Sequence, residues 1–336
     1  MNIECVNETT FIGDRRKNLA GRESYENCES NHVSVIIPCY NAEQSITGTL
    51  LSVLLQNHQN FEVIVVDDGS TDGSEAAIEH IMENASNGNK IKLISQNNQG
   101  VSVARNQGVA NSSGNYLAFL DADDLWHHEK LSTHLHYMNN HPQVGVSFAR
   151  AQFMNSEGKV LQRTSSLPLG KQDAAAMFAE NPTTTTSNLF MRRSVFEQAG
   201  GFDETMQFAE DQEFLIRILH ETEYEVTGID PVLTYYRASE NGLSSKLPEM
   251  EAGWLHMVSR VKTYAPEFVK EQLSPAKALY YRYLARRSVR LSSSAKEGMA
   301  YLIKALRSDW TLFIRDPSRS LPTLFAVVAR RVVSSS

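Results

Sequence analysis

From Val33 onward, short unbroken apolar runs alternate with segments whose apolar residues recur every three or four positions. VSVIIP (33–38), FEVIVV (61–66), IKLIS (91–95) and NYLAFL (115–120) are continuous and rich in β-branched or aromatic residues, the pattern of strands covered on both faces. Between the first two, Ile46, Leu50 and Val53 follow helical spacing, and further helices are predicted over about 74–82 and 100–110. The order β-α-β-α-β-α-β predicts an α/β fold with a mostly parallel, doubly wound, Rossmann-like sheet. Right-handed crossovers then bring the C-terminal ends of the strands to one edge, where open α/β sheets bind their ligands. Farther along, the pattern predicts a helix over 127–139, a strand over 144–149, a hairpin-like turn at NSEG (155–158) and a Thr-rich loop (182–187) leading into SNLFMRR. A helix is predicted over 210–219, and from about Pro248 the chain turns mostly helical. There AKEGMAYLIKALRSDW is faintly similar to one helix pair of a tetratricopeptide repeat. Residues 1–31 show no apolar period and read as a flexible polar leader. The expected organisation is therefore a leader (1–31), an α/β domain (32–247) and a helical C-terminal extension (248–336).

The chemically loaded residues cluster at the predicted strand ends. Pro38, Tyr40 and Asn41 follow the first strand, Asp67 and Asp68 the second, and Asp121, Asp123 and Asp124 the fourth. Three carboxylates crowded in FLDADD (119–124) raise one another's pKa unless a cation sits among them. Ligation by carboxylate oxygen alone suits Mg²⁺ or Mn²⁺, which commonly bridge to a diphosphate. The competing reading is a cap for the helix that follows. In VVDDGSTDGS (65–74) the carboxylates either form turn hydrogen bonds or accept them from a nucleobase N–H or ribose hydroxyls. In PCYN (38–41) the Tyr40 ring either stacks on a base or is simply half-buried.

VSVIIPCYN, FEVIVVDDGSTDGS, NNQGVSVARNQGV and GNYLAFLDADD, in this order and spacing, closely resemble glycosyltransferase family 2 over about Val33 to Ser245. The resemblance implies a GT-A fold and inverting transfer of a sugar from a nucleotide diphosphate, expected to be a UDP-sugar, to an acceptor hydroxyl. It implies that Tyr40 stacks on uracil or another base, with Pro38 and Asn41 beside it, and that Asp67 or Asp68 contacts the base or ribose. Arg105, in ARNQG, is expected near the nucleotide. Asp121, Ala122 and Asp123 fall on the DxD motif, Asp121 near the ribose and metal and Asp123 as a direct ligand of Mn²⁺ or Mg²⁺. AEDQEFLIRI (209–218) matches the ED motif, which places Glu210 by the donor and Asp211 as catalytic base. A carboxylate at a helix N-terminus is favoured by the macrodipole and stays ionised, ready to accept a proton; mere capping is the competing reading. GGFDE (200–204) resembles a loop facing the donor sugar, where Asp203 and Glu204 either touch the sugar or shape the turn. TYYRASENGLSS (234–245) resembles the YRxHxxxxS pattern near the diphosphate. Arg237 matches its Arg, but Ser239 stands where the family has His, which leaves a third metal ligand to water or another group. His127 and His128 read as surface positions, and no cluster of soft ligands points to zinc.

The implied acceptor is a glycan, a lipid-linked group or a protein, and the implied setting is bacterial surface polysaccharide or glycoconjugate assembly. Donor choice would depend on the loops Thr183–Asn188 and Gly200–Glu204. Two other readings stand beside this one. A metal-dependent nucleotidyltransferase needs a Gly-rich, basic loop after the first strand, and PCYNAEQS has none. A non-catalytic scaffold would keep the GT-A fold and use the helical tail as its working surface.

Composition sharpens this at the C-terminus. With 336 residues, 41% hydrophobic and 21% charged, the chain is an ordinary globular mixture and not collagen-like, disordered or a disulfide framework. No run reaches the roughly 18 apolar residues of a membrane span, and the polar start lacks a signal peptide's apolar core. Cys5, Cys28 and Cys39 have no metal spacing and read as reduced thiols, so a cytoplasmic setting is expected. The net charge of -7 argues against nucleic acid as a partner, yet Lys277 to Arg331 holds twelve Lys/Arg against three Asp/Glu. That stretch carries +9 and the remainder -16. The basic tail either rests on anionic lipid at the cytoplasmic face of a membrane or forms a solvated bundle or homodimer surface.

Overall fold

The computed structural model describes residues 31–165, 169–238, 246–291 and 295–333. Cys5, Cys28 and Ser239 lie outside the described residues, as does nearly all of the expected leader. The four apolar runs form β1 (Val33–Cys39), β2 (Phe61–Asp67), β3 (Ile91–Ser95) and β4 (Tyr116–Phe119). All four are parallel, in the order β3-β2-β1-β4, with Val35 level with Val63 on one side and Ala118 on the other.

Their crossovers are α1 (Ile46–Leu54), α2 (Ser74–Asn84) and α3 (Val101–Ala110). The unbroken apolar runs are explained by packing on both faces. Val33, Val35, Ile37, Val63 and Val65 join a core with Ile46, Leu50 and Val53 of α1 and Ile78 and Ile81 of α2. The alternate residues Ile36, Ile64 and Val66 pack on the other face with Ala104 and Val109 of α3. Gly108 allows α3 to lie close, because a Cβ there would come within 2.5 Å of Ile36.

Beyond β4 the sheet becomes mixed. β5 (Leu125–Trp126), β6 (Val144–Met154), β7 (Val160–Thr164), β8 (Gly170–Lys171), β9 (Phe190–Arg192) and β10 (Glu225–Arg237) complete it. The full order is β3-β2-β1-β4-β9-β6-β10-β5, with β7 beside β6 and β8 beside β10. β9, drawn from SNLFMRR, is antiparallel to both neighbours, so β6 and β10 run the same way as the first four strands. The sheet is thus mostly parallel. The helix expected over 127–139 begins later, as α4 (Lys130–Asn140), because the contact with β10 that pairs Leu125 and Trp126 with Tyr235 and Thr234 runs on to His127, whose N–H donates to the Leu233 carbonyl at 3.1 Å. The strand expected over 144–149 continues to Met154. Asn155 and Gly158 then close the expected turn, with Gly158 at φ +81°.

The remaining helices are α5 (Ala174–Ala179), α6 (Arg193–Ala199), α7 (Glu210–Glu221), α8 (Leu247–Tyr264), α9 (Pro266–Arg290), α10 (Ala295–Asp309), α11 (Leu312–Arg315) and α12 (Pro317–Val333). The C-terminal helices share a core with the sheet's α3 face. Trp254 and Met257 of α8 and Leu284 of α9 pack in one cluster with Phe178 of α5 and Phe214 of α7. Trp254 stacks on Tyr280 at 4.7 Å and donates its indole N–H to the Phe178 carbonyl.

Candidate active site

The site is built at the C-terminal ends of β1, β2 and β4. Cys39 lies level with Asp67, so the loops leaving β1 and β2 start side by side. Asn41 adopts φ +49°, a left-handed conformation that asparagine tolerates, and its side-chain oxygen accepts the Thr71 N–H at 2.8 Å. The Asn41 N–H in turn donates to the Ser70 hydroxyl at 2.9 Å. Tyr40, beside this stitch, is 53% exposed. Pro38 lies within β1.

Asp67 and Asp68 are both buried, yet they are bonded differently. Asp68 accepts three hydrogen bonds, from the Gln96 side chain at 2.7 Å and from the N–H groups of Gln99 and Gly100 at 2.8 Å. It is spent on starting α3. Asp67 uses only Oδ1, toward Ser70, and keeps Oδ2 without a protein donor among the described residues.

The carboxylates after β4 meet α3 and the Thr-rich loop. Arg105 is buried, and its guanidinium bridges Asp121 at 2.8 Å and Glu210 at 2.7 Å. Burial works against its charge, but the two carboxylates outweigh that and raise its pKa. Asp121 also accepts from Thr185 at 3.2 Å, and its N–H donates to the Ser187 hydroxyl. The Asp123 side chain reaches solvent, but protein atoms crowd its carboxylate, and that desolvation together with the Asp121 charge pushes it up to about 6. Asp124 is fully buried, accepting from Ser187 at 2.6 Å and from the Arg237 N–H at 2.8 Å. Burial and the neighbouring carboxylates hold it well above the usual range. The Ala122 carbonyl accepts the Thr49 hydroxyl at 2.9 Å, which ties the motif to α1. The Arg237 side chain binds the Asp123 carbonyl at 2.8 Å and the Ser156 carbonyl at 2.8 Å, clasping this loop to the β6–β7 turn.

Asp211, in the first turn of α7, is 7% exposed. Asn181 donates to its Oδ2 at 2.7 Å and the Gln212 N–H to its Oδ1 at 2.8 Å. Burial, then the adjacent Glu210 charge, pushes it up to about 6. A carboxylate so placed is ionised at neutral pH and basic enough to take a proton. Asp203 is bonded to Thr205 and to Arg260 at 2.5 Å, and Glu204 to Asn106 at 3.0 Å, so both shape the loop that α3 holds. His127 is partly exposed and His128 exposed.

Several residues of the site were not singled out from the sequence. Asn181 is a loop residue with no local mark of its role, Thr185 and Ser187 are marked only as part of the loop Thr183–Asn188, and the half-buried Asn106 only as a neighbour of Arg105. Lys130 did leave a signal, a cation at the head of the apolar stripe Leu131, Leu135 and Met138. It is fully buried, its ammonium donates to Thr234 at 3.0 Å, and burial pushes it down to about 7 against the pull of Asp124.

Among the described residues, no group of three or more His, Cys, Asp or Glu is arranged to hold a metal ion by itself. Asp121 and Asp123 offer oxygen alone, and Asp121 raises the Asp123 pKa, the mark of negative charge that a cation would offset. That pair fits a divalent cation shared with substrate phosphates and water rather than one caged by protein.

Residues 34–200 match the family model described as Glycosyl transferase family 2. The chain is 32% identical over 191 residues to the amylovoran biosynthesis glycosyltransferase AmsB of Erwinia amylovora, covering 55% of this chain and 62% of that protein. The curated relatives it matches first, at 34–40% identity, are matched over only 19–24% of their own length. In fold, it is similar to S. aureus TarS in complex with UDP-GlcNAc, with a TM-score of 0.58 at 20% identity over 82% of this chain and 79% of that one. The mannosyltransferase PcManGT from Pyrobaculum calidifontis, in complex with GDP-Man and Mn²⁺, gives 0.57 at 18% identity over 90% and 88%.

Proposed function

The chain belongs to glycosyltransferase family 2, and on that premise we propose that it transfers a sugar from a nucleotide-diphosphate donor, a UDP-sugar, to an acceptor hydroxyl with inversion. The setting proposed is bacterial surface polysaccharide assembly; the relative AmsB of Erwinia amylovora is named for amylovoran biosynthesis. The observation that carries this reading is Arg105, which holds Asp121 and Glu210 at 2.8 and 2.7 Å and so links the donor-side carboxylates to the helix bearing Asp211.

Each group has a task in this scheme. The exposed Tyr40 ring stacks on the base, and the free oxygen of Asp67 accepts from the base or ribose. Asp121 and Asp123 hold a divalent cation, Mn²⁺ or Mg²⁺, which when bound stabilises the charge of the leaving diphosphate. Arg237 adds positive charge beside Asp123. Asp211 takes the acceptor hydroxyl proton as that oxygen attacks the anomeric carbon from the face opposite the nucleotide. Asn181 keeps the Asp211 carboxylate oriented.

Two substitutions test the scheme. Asp211→Asn should lower transfer by roughly 10²–10⁴-fold while UDP binding, read by thermal shift, is kept. Turnover that survives would place the base elsewhere. Asp123→Ala should abolish the Mn²⁺-dependent part of the UDP shift, and an unchanged shift would remove Asp123 from the metal site.

A further inference from the structure

The C-terminal helices carry a surface feature that sugar transfer does not use. Trp310, Ile314 and Phe325 are 62%, 67% and 67% exposed, and Leu321 and Val328 are exposed beside them in the chain. On α12, Leu321, Phe325 and Val328 fall at i, i+4 and i+7, one face of the helix, while Ser320, Thr323 and Val327 face inward. Large apolar side chains left in water along one helix face mark a contact surface.

The surrounding charge is positive. From Arg307 to Arg331 the chain carries five arginines against Asp309 and Asp316, with Arg315 paired to Asp309 and Arg319 to Glu180, which leaves the stretch net positive. Arg330 donates to the Val289 carbonyl at 2.6 Å, which sets the end of α12 against the end of α9. At that end of α9, Arg290 is buried enough to lower its pKa, and the charges of Arg163 of β7, Arg286 and Arg287 lower it further. No helix among the described residues is long and apolar enough to cross a membrane.

We propose that α10, α11 and α12 seat the protein on the surface of an anionic phospholipid bilayer, with Trp310, Ile314, Leu321, Phe325 and Val328 entering the headgroup boundary and the net positive charge of this region drawn to the anionic headgroups. Apolar residues with a basic surround are what such a surface selects. A second copy of the chain would match the apolar residues but bring one cationic surround against another. The proposal is independent of the sugar-transfer reading.

Flotation of the full chain with vesicles of phosphatidylcholine and phosphatidylglycerol tests it. The protein should float with these vesicles and not with phosphatidylcholine alone. Tryptophan emission gives a second readout, because Trp126 and Trp254 are buried and only Trp310 of the chain's three is exposed. Anionic vesicles should shift the emission to the blue, and Trp310→Phe should remove the shift. The exposed pair Leu321→Ser with Phe325→Ser should lower the bound fraction roughly tenfold, with thermal unfolding and donor hydrolysis unchanged. No flotation with anionic vesicles, or equal flotation by the double variant, would overturn the proposal. So would a double variant that turns a dimer into a monomer in size-exclusion chromatography and leaves vesicle binding intact, which would assign the face to a second copy.

Discussion

Asp67 and Asp68 are neighbours in the chain, buried alike, and opposite in what they offer. Asp68 satisfies two backbone N–H groups and a side chain at the start of α3, whereas Asp67 keeps one oxygen without a protein donor among the described residues. Asp68→Ala should therefore cost about 2 kcal/mol of stability by leaving those donors buried and unpaired, as urea unfolding would show. An unchanged midpoint would mean that water replaces the carboxylate. Asp211 yields a prediction in pH. It must be ionised to act as a base, and its folded pKa is raised to about 6, so transfer should fall as pH drops below that value. The hydrogen bond from Asn181 works against the rise. Asn181→Leu removes it, so the acid limb of kcat should move to higher pH by about one unit. A limb that stays in place would assign it to another group. The sequence made Asp211 visible through its motif, but Asn181 lies thirty residues upstream and carries no motif.

At the level of elements, two backbone positions beside the site, in addition to Asn41, are held in left-handed conformations without glycine. Ala209, at φ +58°, immediately precedes α7 and its Glu210 and Asp211. Thr184, at φ +73°, lies in the Thr-rich loop, where Asn181 and Asn188 bond its neighbour Thr183 on both sides. Such strain persists when the surrounding contacts over-determine the backbone. Ala209→Gly should stabilise the fold by about 1 kcal/mol in chemical denaturation, since the relief of αL strain exceeds the added chain entropy of glycine. A loss of stability would show that the methyl group packs better than its backbone suggests. The strands β1 to β4 were legible because each is a local apolar run. β9 was not, because three residues carry too little pattern, and only the pairing of Phe190 with Ala118 and Ser147 makes them a strand. The start of α4 was misplaced for a related reason: the local pattern begins at His127, but its N–H bonds the Leu233 carbonyl of β10, which delays the helix to Lys130.

Over the whole molecule, the C-terminal helices finish the core as well as extending it. Trp254 and Leu284 pack with Phe178 and Phe214, Arg282 is buried against Asp316 at 2.6 Å, and Arg319 reaches Glu180 at 3.2 Å. A chain ending at residue 247 should therefore lose cooperative folding, read as loss of soluble protein or of a near-UV dichroism signal. A well-folded short form would show that the sheet closes its own core. Part of the basic tail is thus internal wiring, which the charge sum alone did not reveal. By itself the sequence determined the succession of the four strands and their helices and the presence of carboxylates at the strand ends, because both are written in runs of adjacent residues. Only the tertiary structure decided that Arg105 joins Asp121 to Glu210, that Asp68 bonds the start of α3 while Asp67 bonds Ser70 through one oxygen, and that Lys130 lies buried within the field of Asp124. Those outcomes depend on which groups, separated in the case of Arg105 and Glu210 by 105 positions, compete for the same hydrogen bonds and charge once water is excluded.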